Sequence, residues 1–321
     1  MDVAIVEDLK ASFGIVCGEI SVVTGGWLNR KWRVSCGDSE FLVKSFSNER
    51  YRRSSIERID LALRRQVVLQ NGVKCPRILT CSGGSVVRFL DDGTSYMVME
   101  FYSGHHVTPA TVTEKQMRSL GDACGKIHSE FAKLPTESVE GFPIDGGARI
   151  DLLRDNFRVR MNGDISNSAY KDALISLEPI LNELTVCFFD ALPKGIAHED
   201  FSPDNMLFDD DGVTAILDFD RSCYSFLHHD IGRAVLSFAL DLERGRIDAD
   251  KVSAFVDGYS AHLPLRMADI ADALKITWCI ETIWWIRPEF FEQNTAKVMR
   301  FKDEILWVTD NWHALDSLLL N

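Results

Sequence analysis

Between residues 20 and 101 the apolar positions come in short runs broken by turn signals. Ile20 to Thr24, Lys31 to Ser35, Glu40 to Phe46, Ser85 to Leu90 and Ser95 to Phe101 are rich in Val, Phe, Tyr or Ile. Gly25-Gly26, Cys36-Gly37-Asp38, Gly83-Gly84 and Asp91-Asp92-Gly93 separate them, which predicts an antiparallel sheet. One segment departs from this pattern. From Ser54 to Asn71, Ile56, Ile59, Leu63 and Val67 recur at helical spacing, Ser54 and Glu57 fit a capping box, and Asn71-Gly72 fits a C-terminal stop.

After Gly104 the spacing turns helical. Thr111 and Glu114 are placed to cap a helix whose apolar face is Met117, Leu120, Cys124, Ile127 and Phe131, and further helices are expected over 149–161, 168–190 and most of 228–320. A boundary therefore falls at 101–104. Inside the helical half lies one β island, where Asn205 to Phe208 and Val213 to Phe219 flank Asp209-Asp210-Asp211-Gly212, a strong hairpin signal. The expected architecture is α+β: a small antiparallel β lobe with one helix over 1–103, and a larger, mostly helical lobe over 104–321.

Length and composition narrow the functional classes. With 321 residues the chain has room for about two domains of ordinary size, and 46% hydrophobic residues exclude disorder. Lys plus Arg number 35 against 48 Asp plus Glu, a net charge of −13 that disfavours binding to nucleic-acid phosphates. The eight cysteines include no C-x-x-C pair, early acids replace a basic leader, and the apolar stretch Lys275 to Phe291 is interrupted by Glu281 and Arg287. These features point to a cytoplasmic protein with no membrane span. They leave the oligomeric state open.

The chemistry concentrates on the β island, which reads His198-Glu199-Asp200-Phe-Ser-Pro-Asp204-Asn205 and then Asp218-Phe219-Asp220. Pairing about a turn between Asp210 and Asp211 sets residue 205 opposite 216, so Asn205 and Asp218 emerge at one end of the hairpin, with Asp200 on the loop leading into it. Three oxygen-bearing side chains of this kind suit a hard divalent cation such as Mg2+ with phosphate oxygens, and leave a carboxylate to take a proton from a hydroxyl. His-x-Asp-x-x-x-x-Asn alone arises by chance in about one chain in 25 of this length, so its weight comes from the hairpin context.

On these residues the chain resembles the family of aminoglycoside phosphotransferases, choline kinases and homoserine kinases built on the protein-kinase fold. Its members carry His-x-Asp-x-x-x-x-Asn, then Asp-Phe or Asp-Trp, then a further Asp about twelve residues on, here Asp230. The resemblance implies a two-lobed, ATP-dependent kinase of small molecules. In it Asp200 is the base, Asn205 and Asp218 hold Mg2+, and His198 and Asp230 brace the loop. It further implies that Gly25 and Gly26 approach ATP phosphates, that Lys44 pairs the α- and β-phosphates, and that Glu100 and Tyr102 flank the strand whose backbone meets adenine.

The acid that pairs with Lys44 is less directly marked. Glu57 is taken up by the capping box, so Asp60, nearer the buried face of the same helix, is the choice, although the family usually has Glu where this chain has Ala62. Glu199 also replaces a residue that is small, often Gly, in the family. For the acceptor, Arg221, Tyr224, Glu281 and Trp284 are candidates, and Glu281 needs either an internal Arg or a substrate ammonium. From Asp200 to Asp220 the chain has seven aspartates and no Lys or Arg, a field compatible with a cationic, hydroxylated substrate. The alternative from another class is a kinase-fold scaffold or nucleotide sensor without catalysis. A protein kinase is disfavoured because Asp220 stands in place of the Gly of Asp-Phe-Gly.

Overall fold

The computed structural model describes residues 1–24, 29–47, 51–69, 72–292 and 296–318. The chain divides into two compact units, one of Met1–His106 with Asp204–Ser222 and the other of Val107–Pro203 with Cys223–Asn321.

The first unit opens with helix α1 (Val3–Phe13), outside the elements expected from the apolar pattern. Its signal is slight, since only Ile5 and Leu9 are buried, and Gly14 ends it in the left-handed conformation at φ 68°. A polar tie adds to the packing. Asp8 accepts from Arg88 Nε at 2.8 Å and from the Tyr96 hydroxyl, and the Arg88 guanidinium holds its carboxyl at about 2 despite partial burial. Strands β1 (Ile20–Val22), β2 (Arg30–Cys36) and β3 (Ser39–Phe46) follow, then helix α2 (Arg53–Leu69), β4 (Val87–Phe89) and β5 (Ser95–Glu100). The strands form one antiparallel sheet in the order β1-β2-β3-β5-β4. Alternation directs Trp32, Val34, Val43, Tyr96 and Val98 into a core with Ile5, Leu9 and Ile15. Helix α2 begins at Arg53, so Ser54 is inside it, and Glu57 pairs with Arg53 at 3.2 Å in place of the expected capping box.

The second unit starts with helix α3 (Glu114–Phe131), whose capping box is Thr113 with Gln116, two residues beyond the expected Thr111 and Glu114. Its apolar face is buried as the spacing predicts. Helices α4 (Gly146–Met161), α5 (Ser168–Glu183) and α6 (Val186–Ala191) come next, the expected helix over 168–190 being broken where Thr185 caps α6. After β6 (Lys194–Ala197) the chain contributes the hairpin β7 (Met206–Phe208) and β8 (Val213–Ile216) to the first unit. It then resumes the second with β9 (Cys223–Phe226), antiparallel to β6, and helix α7 (Leu227–Phe238). The two-residue strands β10 (Leu240–Asp241) and β11 (Arg246–Ile247) interrupt the helical run. Helices α8 (Ala249–Tyr259), α9 (Asp269–Trp285), α10 (Glu289–Glu292), α11 (Ala296–Asn311) and α12 (Leu315–Leu318) complete the unit.

Helix α7 packs on α9 through Gly232. A Cβ there would run into the Ala273 carbonyl and the Thr277 hydroxyl. Gly232→Ala should therefore cost about 1–3 kcal/mol and lower the melting temperature by roughly 5 °C, measured by calorimetry. An unchanged Tm would contradict this close approach.

Candidate active site

In the first unit the hairpin β7–β8 pairs Met206 with Ile216 and Leu207 with Ala215, with an irregular step before Phe208 pairs with Val213. The register is thus one residue off the expected 205–216 pairing. The extra residue at the irregular step accounts for the difference. The end of the hairpin is still shared as expected, because the Leu217 N–H donates to the Asn205 carbonyl at 2.8 Å. Asn205 is buried, and Asp218 sits beyond it at φ 63°, a left-handed conformation that Asp tolerates better than most residues.

Lys44 comes to the same place from β3. It is buried, and its ammonium lies 2.8 Å from Asp218 Oδ1 and 2.6 Å from Asp220 Oδ2. Burial pushes the lysine down, but the two carboxylates outweigh it and hold Lys44 protonated well above the usual range. For Asp218 burial acts upward and the Lys44 charge overcomes it, so this carboxyl stays ionised. Asp220 is the group that yields, pushed up to about 7 by burial and by the Asp218 charge beside it. Lys31, opposite Lys44 in the β2–β3 register, is lowered by its own burial and by the Lys44 charge.

Asp60 does not pair with Lys44. Its Oδ1 accepts from the Ser85 hydroxyl and from the Val86 and Val87 N–H groups, each at 2.8 Å, and its Oδ2 faces Arg64 at 2.6 Å. That carboxylate fixes the entry to β4, and Asp220 takes its expected place beside the lysine. Glu100 pairs with Arg77 at 2.9 Å at the end of β5, and Tyr102 follows partly exposed. Gly25 and Gly26 lie outside the described residues. Arg221 is exposed on the short turn after Asp218.

The second unit carries Asp200 on the loop after β6. Asp230, in the first turn of α7, is fully buried and accepts the N–H of His198 at 2.7 Å and of Glu199 at 2.9 Å, with His128 Nε2 at 2.9 Å. Burial raises this carboxyl, yet the His128 hydrogen bond and the surrounding histidines bring it below the ordinary value. His198 is also fully buried, and its Nδ1 accepts the Asp200 N–H at 3.2 Å. The ring therefore shapes the loop and is not exposed to a reacting group. Tyr224 is half-buried against Phe142, their ring centres 4.9 Å apart.

Glu281 is not available to a substrate ammonium. It is buried, with Arg233 at 2.6 Å on Oε2 and His229 at 3.3 Å on Oε1, so the internal partner is the one the fold supplies. Trp284, 51% exposed, lies under the Arg287 guanidinium at 5.2 Å, while Trp278 takes the core position. Sequence reasoning missed Asp220 as the partner of Lys44 and His229 as the partner of Glu199. The first was readable as a second acid two residues from Asp218; the second had no local signal, being thirty residues away.

Residues 19–249 match the model of the phosphotransferase enzyme family. A homoserine kinase from Afipia carboxidovorans is 25% identical over 195 residues, which is 60% of this chain and 56% of that protein. The match thus reaches little more than half the length of that relative. Among solved structures, an amicoumacin kinase in complex with AMP-PNP and Ca2+ is 16% identical, with a TM-score of 0.60 over 91% of this chain and 88% of that one. A microcompartment-associated aminopropanol kinase is 14% identical, with a TM-score of 0.57 over the whole of both chains. The α+β fold is the one these kinases share.

Proposed function

Because the chain belongs to the phosphotransferase enzyme family, we propose that it transfers the γ-phosphoryl group of ATP to a hydroxyl of a small molecule, with Mg2+ and with Asp200 as base. The observation that carries this reading is Lys44, buried and held protonated between Asp218 and Asp220. A buried ammonium fixed by two acids is a prepared partner for α- and β-phosphate oxygens.

The hairpin end also fits a hard cation. Its donors are amide and carboxylate oxygens, Asp218 stays ionised, and Asp220 Oδ1 is buried with no hydrogen-bond partner. Asn205 and Asp218 would hold Mg2+, which supplies charge neutralisation for the triphosphate. Asp200 accepts the proton of the acceptor hydroxyl, whose oxygen forms the new bond to the γ-phosphorus as the β–γ bridging oxygen leaves with ADP. His198 and Asp230 keep the loop in the shape that presents Asp200. We place this activity in the cytoplasm.

The names of two relatives, a homoserine kinase and an aminopropanol kinase, give acceptors that pair a hydroxyl with an amine. An amino alcohol of that class, homoserine first, is the acceptor we propose. The run of seven aspartates from Asp200 to Asp220 supports its ammonium, and Arg221, Tyr224 and Trp284 remain as candidates to contact it. The test is ADP formation from ATP and Mg2+ against homoserine, short amino alcohols, choline and aminoglycosides. One acceptor class should raise ADP release well above the ATP-only background. Background rates with every acceptor would overturn the proposal.

A further inference from the structure

We propose that Glu199 is a positioning residue, the first member of a buried strut of alternating charge that runs through His229, Glu281, Arg233 and Glu304 and holds the Asp200 loop in its working conformation. The strut begins on the residue between His198 and Asp200. It ends on α9 and α11, beyond residue 249, where the family match stops.

The first observation is backbone strain. Glu199 stands at φ 64°, a conformation that costs a residue with a Cβ about 1–2 kcal/mol and a glycine almost nothing. A side chain retained at such a position is held by something. Glu199 Oε1 lies 3.1 Å from His229 Nδ1, and the other ring nitrogen of His229 lies 3.3 Å from Glu281 Oε1. With a carboxylate oxygen on each ring nitrogen, both nitrogens must donate, which only the imidazolium does. The same conclusion follows from electrostatics: burial disfavours the charge, but Glu199 and Glu281 push His229 up to about 10.

The chain of pairs then continues without a gap. Glu281 Oε2 takes Arg233 Nη1 at 2.6 Å and the Trp285 indole N–H at 3.1 Å. Arg233 also donates to Glu304, which Arg300 meets at 2.7 Å. With the partly exposed Arg300 at its far end, three carboxylates and three cations alternate, so the charge of the chain sums to zero. A hydrophobic core would stabilise this region as well. What an ion-pair chain adds is direction, because each link fixes the orientation of the next. Here the terminal link is the peptide that carries Asp200.

The kinetic arm of the test rests on the phosphotransfer reading; the exchange arm does not. Glu199→Gly relieves the backbone strain, which offsets part of the cost of leaving His229 without its first carboxylate, and it cuts the strut at its first link. We expect kcat to fall about 10- to 100-fold, with the KM for ATP within about twofold of the starting value. Glu281→Gln, on α9, should speed amide hydrogen exchange of residues 198–202 about tenfold or more, and adding it to Glu199→Gly should lower kcat no further. Unchanged exchange in Glu281→Gln, or unchanged kcat in Glu199→Gly, overturns the proposal. If the unsubstituted protein turns over no acceptor, the phosphotransfer reading fails, and exchange alone upholds or overturns the strut.

Discussion

Asp200→Asn should lower kcat by about 10²- to 10⁴-fold while leaving ATP binding and thermal stability near their starting values. Asp230 holds the N–H groups of His198 and Glu199, and His198 Nδ1 holds the N–H of Asp200, three backbone contacts that asparagine at position 200 leaves in place. Asparagine keeps the size and the backbone and removes the ability to take a proton. A base that receives the hydroxyl proton is worth that range of rate, whereas a residue that only shapes the loop is not. Steady-state kinetics with the accepted alcohol and calorimetry on the same sample decide it. A loss below about 100-fold, no larger than the one expected for a residue that only positions the loop, would remove Asp200 from the role of base.

Most of the first unit was legible because a half-buried sheet imposes its own alternation. The five runs between residues 20 and 101 appear as β1–β5, shifted at their ends by one or two residues. Helix α1 was not legible, since its two buried residues give too little periodicity and its polar anchor, Asp8, pairs with Arg88 eighty positions away. The hairpin was legible as a hairpin but not in register. Counting from the turn assumes a regular ladder, and the irregular step at Leu207/Phe208 is a tertiary outcome that residue types do not announce.

The site divides along the same line. Lys44 and Asp218 meet, and Asn205 stands at the same hairpin end, because strand ends and a hairpin bring them to predictable places. The partner of Lys44 was misassigned. Helical geometry did put Asp60 on the buried face of α2, but the donors of Ser85, Val86 and Val87 claim it first. Glu281 shows the opposite case. Its position in an apolar run announced a need for countercharge, and only packing could say that Arg233, forty-eight residues earlier, supplies it. Sequence reveals which buried charges need partners; the fold chooses among the candidates.

Lys44→Met should be the most damaging change in the first unit, lowering stability by about 3–5 kcal/mol at pH 7 and abolishing ATP-dependent turnover. The cost comes from what is left behind. Asp218 and Asp220 stay close together, Asp220 mostly and Asp218 partly shielded from water, and the charge that holds Asp218 ionised is gone. This gives the defect a definite dependence on pH. In the unsubstituted protein the Asp218 carboxyl is depressed, so the stability it contributes is present above its ordinary value of 3.8 and is lost as pH falls toward the folded value. In the variant the two acids favour protonation, and a neutral carboxyl needs no counterion. The difference in melting temperature, on the order of 10 °C at pH 7, should therefore shrink steadily as pH falls from 7 to 4. Parallel melting curves across that range settle the point: a difference that is constant with pH, or that widens in acid, would mean that Lys44 stabilises the unit through its alkyl chain and not through the two carboxylates.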